Sequence, residues 1–261
     1  MSVHPDWIVP QFAVPGVRAL ITTRRGGVSR GPWGASDGGG MNLGLGSGDA
    51  ADAVRANRAR LQALLPQPPR WLVQVHGGAV VEAERVTGRV EADASTSVTP
   101  GVVCAVLVAD CLPVVLASAD GRGVAVAHAG WRGIAAGVIQ NTVNALRERL
   151  GDASAPLAAY LGPAIGPRHF EVGVEVLQAM LPTLPLAAQA FVATGNGKYR
   201  ADLFRLARMA LAQVGVEAVA GGTECTFSEP ARFYSYRRDR ITGRHAALVW
   251  IEPQPTLQSL V

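Results

Sequence analysis

The most apolar stretch of the chain, residues 102–118, is broken in its middle by Asp110, Cys111 and Pro113. A membrane-spanning helix tolerates such an interruption poorly, because polar groups in hydrocarbon stay unsatisfied and proline removes a donor. Two short β-branched runs, 102–108 and 114–117, fit the segment better, each bounded by turn residues. Residues 71–75, 80–86, 124–127, 157–161 and 246–251 read as strands on the same grounds. Helices are expected over 49–65, with an acidic start, and over 134–150, closed by Gly151 in the position favoured after a C-cap. Two more are expected over 174–181 and 202–214. In the last of these, Leu203, Leu206, Ala207, Ala210, Leu211 and Val214 fall at helical spacing. The glycine-rich segments 25–28 and 38–40 read as loops that bring backbone close to something. No interior linker and no internal repeat divides the chain, so one α/β domain over residues 1–261 is the expectation.

Composition narrows the function classes. The chain has 261 residues, 49% of them apolar and 17% charged, which suits a globular protein. Its formal charge of +4 rests on scattered arginines and the single lysine Lys198. The nearest approach to a basic cluster is Arg237, Arg238 and Arg240 among Phe233, Tyr234 and Tyr236; with no further clustering, nucleic acid is not an expected partner, nor is a membrane. The first residues carry an early acid and no long apolar run, so no secretory signal is read and a cytoplasmic protein is expected. Cys104, Cys111 and Cys225 are an odd number without short paired spacing. That argues against a disulfide framework and allows a metal-binding or reactive thiol.

Three soft or borderline ligands follow three expected strands. His76 comes after 71–75, Cys111 after 102–108 and His128 after 124–127. If those strands lie side by side, two imidazoles and a thiolate make three legs of a tetrahedral zinc site whose fourth position is open to water or substrate. Each residue alone has a plainer alternative, a hydrogen-bonded histidine or an inert core cysteine.

The motifs TTRRGGVS (22–29), MNLGLGSGD (41–49), QVHG (74–77), ADCLPV (109–114) and AHAGWRG (127–133) occur in this order. So do LGPAIGP (161–167), FEVG (170–173) and FYSYRRDRITGR (233–244). Together they resemble the YfiH/YlmD family, once labelled polyphenol oxidase or laccase-domain proteins and now described as purine nucleoside phosphorylases. The resemblance implies a layered α/β/β/α sandwich and a Zn2+ ion held by His76, Cys111 and His128. It also implies phosphorolysis of purine nucleosides (adenosine, inosine, guanosine, methylthioadenosine) with inorganic phosphate, and adenosine deaminase activity. Monomer and homodimer both stay open. One departure from the family pattern is the glycine-rich connection RGPWGASDGGGM (30–41), which leaves the loop near Asn42 undetermined.

Supporting polar groups follow from chemistry. Arg24 suits phosphate through its forked guanidinium, against a surface ion pair as the alternative. Asn42 and Gln74 could read a base or ribose edge, and Asp93 and Asp110 could orient a zinc-bound histidine or take a proton. Arg132 could close the site or simply stack on Trp131, and Arg238 and Arg244 could close it from the C-terminal side. Cys225 reads as structural. Two rival functions remain. In a cysteine hydrolase acting on amide bonds or cell-wall precursors, Cys111 would be the nucleophile and His76 or His128 the base. A copper polyphenol oxidase would use His2Cys for copper, but a full multicopper enzyme needs paired histidine segments that five unpaired histidines do not supply.

Overall fold

The computed structural model describes residues 3–11, 14–36 and 38–253. Met1, Ser2, Asp37 of the glycine-rich connection and the end of the expected 1–261 domain lie outside the described residues. The chain opens with β1 (Val17–Ile21), β2 (Arg25–Gly27), β3 (Gly39–Gly40) and α1 (Ala51–Gln62). Next come β4 (Val80–Glu82), β5 (Ala94–Ser97), β6 (Cys104–Val108), β7 (Leu112–Ser118) and β8 (Val124–Ala129). Then follow α2 (Trp131–Ala135), α3 (Val138–Leu150), β9 (Leu157–Leu161), β10 (Glu171–Gly173) and α4 (Val174–Met180). The chain closes with β11 (Phe191–Gly195), β12 (Lys198–Ala201), α5 (Leu203–Gln213), β13 (Ala218–Gly221), α6 (Tyr236–Asp239) and β14 (His245–Ile251).

Two sheets form the centre, one of six strands in the order β13-β9-β7-β8-β5-β4 and one of three in the order β1-β14-β6. The two-residue period of a strand sorts their side chains into layers. Along β7, Leu112, Val114 and Leu116 pack with Val138, Ile139 and Val143 of α3 and with Leu206 and Ala210 of α5. The alternate residues Val115 and Ala117 meet Val106, Ala247 and Val249 of the other sheet. On the far face of that second sheet, Ala105, Ala246 and Leu248 pack with Leu61 of α1 and with Met41 and Leu43. Helix, sheet, sheet, helix is therefore the layer order, as expected from the resemblance. Among the described residues no helix is long and apolar enough to cross a membrane.

Several element boundaries differ from expectation for physical reasons. Residues 71–75 form no strand; only Arg70 and Val73 make isolated parallel bridges, to Cys104 and Glu91. Beside them the Gln74 amide takes the place of a backbone, donating to the Leu107 carbonyl (2.8 Å) and accepting the Leu107 N–H (2.7 Å). This caps the outer edge of β6, which has no strand neighbour on that side. Strand 80–86 stops at Glu82 and turns into a short 3-10 segment, Ala83–Arg85. The expected helix 134–150 is two helices, because Gly137 at φ 77° sends the chain through a left-handed conformation between α2 and α3. The glycine-rich segments are not plain loops either: β2 pairs with β3, and Asn57 of α1 holds both by accepting the Val28 N–H and donating to the Gly40 and Asn42 carbonyls.

Candidate metal centre

β8 lies between β5 and β7 in the six-stranded sheet, and the candidate site is built on that arrangement. His128 is within β8 rather than after it, and shares parity with Val124 and Val126, so it belongs to the face that meets the second sheet. Cys111 sits at the corner where the chain leaves β6 of one sheet and enters β7 of the other. That corner needs a sharp reversal, and Asp110 provides it at φ 86°. Opposite Cys111, Gly130 must be glycine, since a β-carbon there would lie 2.6 Å from the Cys111 sulfur.

His76 arrives from a loop, not from a strand end, and it too is left-handed, at φ 61°. Asp93, directly before β5 and completely buried, holds it there. One carboxylate oxygen accepts the His76 N–H (2.9 Å) and the His128 Nδ1–H (2.8 Å). The other accepts the N–H groups of Gly77 (2.7 Å) and Val75 (3.2 Å). The Asp93 carbonyl also accepts the His128 backbone N–H (2.7 Å). One residue thus positions two histidines and fixes the tautomer of His128, leaving its Nε2 to face the third ligand.

As a result the donor atoms of His76, Cys111 and His128 lie within 4.8 Å of one another. The two imidazoles meet edge to face, with ring centroids 4.8 Å apart. His76 is exposed, Cys111 half-buried and His128 buried, so the group is open on one side. Burial alone would push the Cys111 thiol up, but the charge and hydrogen bonding of His128 and then His76 bring it down to about 6. For His128, burial works downward, and the Cys111 thiolate and the Asp93 carboxylate outweigh it, raising the imidazole to about 9. Asp93 is held below its ordinary value; burial opposes this, and hydrogen bonds from His128 and the Gly77 and His76 N–H groups outweigh it. A thiolate with two imidazoles at this spacing is a donor set that can hold a metal ion.

The other expected site residues are placed differently. Both oxygens of Asp110 are engaged, accepting the Thr226 hydroxyl (2.6 Å) and the Arg237 N–H (2.6 Å). Asn42 is completely buried and spends its amide on the turn, accepting the Gly44 and Arg244 N–H groups and donating to Ser47 and Asp49. Arg24 does not face an open site. Its three nitrogens donate to the carbonyls of Gly34, Pro230 and Pro32, and its guanidinium lies over Tyr234. Arg238 is likewise spent on the carbonyls of Thr226, Phe227 and Phe233 and on Asp239. For Arg24, Asn42, Gln74 and Arg238 the expected contact with substrate does not follow from this arrangement; each holds backbone instead. Arg132 differs, being exposed and stacked on Trp131 at 4.3 Å. The half-buried guanidinium of Arg244 is close enough to feel the charges of Cys111 and Asp110.

Gly130 and Thr226 were not singled out by sequence reasoning. A signal existed for the first, as the glycine between the histidine and tryptophan of AHAGWRG. None existed for Thr226, whose partner is 116 positions away.

A family model described as multi-copper polyphenol oxidoreductase laccase matches residues 18–252. A purine nucleoside phosphorylase of Pseudomonas aeruginosa is 50% identical over 249 residues, covering 94% of this chain and 98% of that protein. The purine nucleoside phosphorylase YfiH of Escherichia coli is 49% identical over 251 residues, with the same coverage. Among solved structures, a Neisseria meningitidis protein described as DUF152 superposes with a TM-score of 0.87 at 45% identity, over 95% of this chain and all of that one. YlmD from Geobacillus stearothermophilus does so with 0.83 at 32% identity, over 94% and 99%. With identity at this level over more than nine-tenths of the chain and a family model matching residues 18–252, the chain belongs to the laccase-like YfiH/YlmD family.

Proposed function

We propose that this protein is a zinc-dependent purine nucleoside phosphorylase that also deaminates adenosine, accepting inosine, guanosine and methylthioadenosine as further nucleosides. The observation that carries the metal half is the convergence of His76, Cys111 and His128 on one point with an exposed side. The substrate half rests on the relatives, which are named purine nucleoside phosphorylases at 39–50% identity. Two imidazoles and a thiolate would suit zinc or a single copper ion, and zinc is favoured because five unpaired histidines do not supply the further ligands of a multicopper oxidase.

Zinc bound here supplies Lewis acidity toward a substrate oxygen or nitrogen. The chain's own residues do the rest. Asp93 keeps His76 and His128 aimed at one point, and its oxygens already accept four N–H groups, so it is a positioning residue and not a proton acceptor. Asp110 holds the Thr226 hydroxyl and the Arg237 N–H and so positions the corner that carries Cys111. Arg132, exposed and two residues past Gly130, is the arginine left to supply a guanidinium for phosphate. The exposed edge of His76 marks where a nucleoside enters.

A second reading has one observation in its favour: Cys111, His128 and Asp93 are linked as nucleophile, base and orienting acid are in cysteine hydrolases. One experiment separates the two. Protein supplied with adenosine in phosphate buffer should release adenine with ribose 1-phosphate, and some inosine, lose both activities on chelation and recover them with zinc. A cysteine hydrolase would form neither product and would gain amidase activity when stripped. If adenosine, inosine, guanosine and methylthioadenosine are all inert with zinc bound, the purine reading fails.

A further inference from the structure

A cavity of about 400 Å³ has none of the three metal ligands in its wall. Its position follows from topology. β9 and β13 run parallel, and α5 precedes β13. The segments leaving the carboxyl ends of both strands therefore meet the start of α5 at one end of the sheet, the place where open α/β sheets form ligand crevices. Its walls carry Arg168, Arg205 and Arg208 with one acid, Asp202. Three guanidiniums against one carboxylate leave two net positive charges.

These arginines are not neutralised by neighbours. Arg208 is fixed by donating to the Val219 and Gly221 carbonyls (3.0 and 2.8 Å), and Arg205 donates to the neutral Gln189 amide (3.2 Å). Arg168 is exposed and has no ion pair among the described residues. Asp202 uses one oxygen to cap α5 through the Arg205 N–H (3.0 Å) and keeps the other for a hydroxyl donor. His169, also in the wall, is held flat against Phe227, with centroids 4.3 Å apart and planes 15° from parallel. The cavity thus offers an uncompensated guanidinium cluster, a hydroxyl acceptor and a preset aromatic plane, in a volume that suits a small ligand. A bare phosphate would meet Asp202 as a like charge; a phosphate ester carrying a sugar would give it a hydroxyl instead.

We propose that this cavity binds a nucleoside monophosphate, with phosphate on Arg168, Arg205 and Arg208, a ribose hydroxyl on Asp202 and the base against His169. The site is separate from the metal centre and does not depend on what that centre catalyses. The test is equilibrium dialysis of the metal-loaded full chain with AMP, ribose 5-phosphate and inorganic phosphate. AMP should saturate one site, and the two base-less anions should bind at least about tenfold more weakly. Arg168→Glu and Arg205→Gln should each weaken AMP about tenfold or more. The first replaces a side chain without an ion pair, so melting temperature and metal content should stay unchanged and a folding defect cannot mimic the result. AMP binding should persist in Cys111→Ser. The proposal is overturned if AMP does not saturate, if inorganic phosphate binds as tightly as AMP, or if both arginine variants bind AMP like the parent. Loss of AMP binding in Cys111→Ser would place the nucleotide at the metal centre and overturn it equally.

Discussion

Replacing Asp93 with asparagine tests whether one buried carboxylate assembles the metal centre. The substitution keeps the oxygen that serves His76 N–H and His128 Nδ1–H, but turns the other into an NH2 group facing the N–H groups of Gly77 and Val75. Two donors are then left opposite a donor. The new NH2 group at this fully buried position has no acceptor, at a cost of about 1–3 kcal/mol, and the Gly77 and Val75 N–H groups on their more exposed loop add less. Together these are a large share of the roughly 5–15 kcal/mol that holds a typical domain together. The cheapest relief is local: the loop carrying His76 detaches while the sheets stay folded. Metal affinity should fall by about 10- to 100-fold, as is usual when a group that orients ligands is lost. Competition against a chromophoric chelator at neutral pH measures the affinity, and far-ultraviolet circular dichroism monitors the sheets. The acid limit follows with the same sign. Because folding lowers the Asp93 pKa from 3.8, its contribution is present above that value and is lost as pH falls through the lower folded one. If Asp93→Asn binds metal within about twofold of the parent, the clamp is not what organises the site.

Gly130→Ala should abolish metal binding with little loss of stability, because the backbone there, at φ −67°, suits alanine and only the Cys111 sulfur is in the way; a metal titration and a thermal melt read the two effects. Gln74→Ala removes both hydrogen bonds on the edge of β6 and should cost about 2 kcal/mol in urea unfolding, with turnover per folded molecule retained. Turnover lost without loss of stability would make Gln74 a substrate contact after all. Arg24→Lys gives up a forked set of carbonyl contacts; it should lower the melting temperature and reduce phosphorolysis and deamination alike, whereas a selective rise in the KM for phosphate would restore the phosphate role. Burial holds His245 down to about 3, so the unfolded chain binds a proton below pH 6.5 that the folded chain refuses. Stability should therefore fall as pH drops from 6.5 toward 3, and urea midpoints across that range should lose part of this slope in His245→Gln.

The layers were legible where a single element carries its own periodicity. β9 begins and ends where alternation and the flanking residues put it, at Leu157 and Leu161. α5 follows from six apolar positions on one face and from Asp202, whose side chain caps it. Legibility failed where a side chain replaces a backbone partner. Residues 71–75 have the composition of a strand, but the edge they would pair with is satisfied by the Gln74 amide, and nothing local distinguishes the two outcomes. It failed again at Gly137, a single left-handed residue inside a continuous apolar pattern.

The ligand set was legible as residue types but not as geometry, and the difference lies in sequence distance. Three strand ends meeting in space was the expected construction, yet only His128 is supplied by a strand. Cys111 comes from a corner between two sheets and His76 from a loop held by an acid 17 positions away. Such loops leave little trace of periodicity because their conformation is set by long-range hydrogen-bond partners, here the Asp93 acceptor for one and the Thr226 and Arg237 donors for the other. The same reasoning explains why polar residues in specific motifs read as substrate contacts while the structure shows them holding backbone. A left-handed turn at Asp110 or a two-residue β3 has backbone groups that no ladder satisfies, and in a core they must find side-chain partners. Asn42, Asn57, Gln74, Arg24 and Arg238 are those partners. A motif rich in polar residues therefore marks irregular backbone near a site as readily as it marks the site, and only the metal ligands, which leave donor atoms facing one another, show the second case.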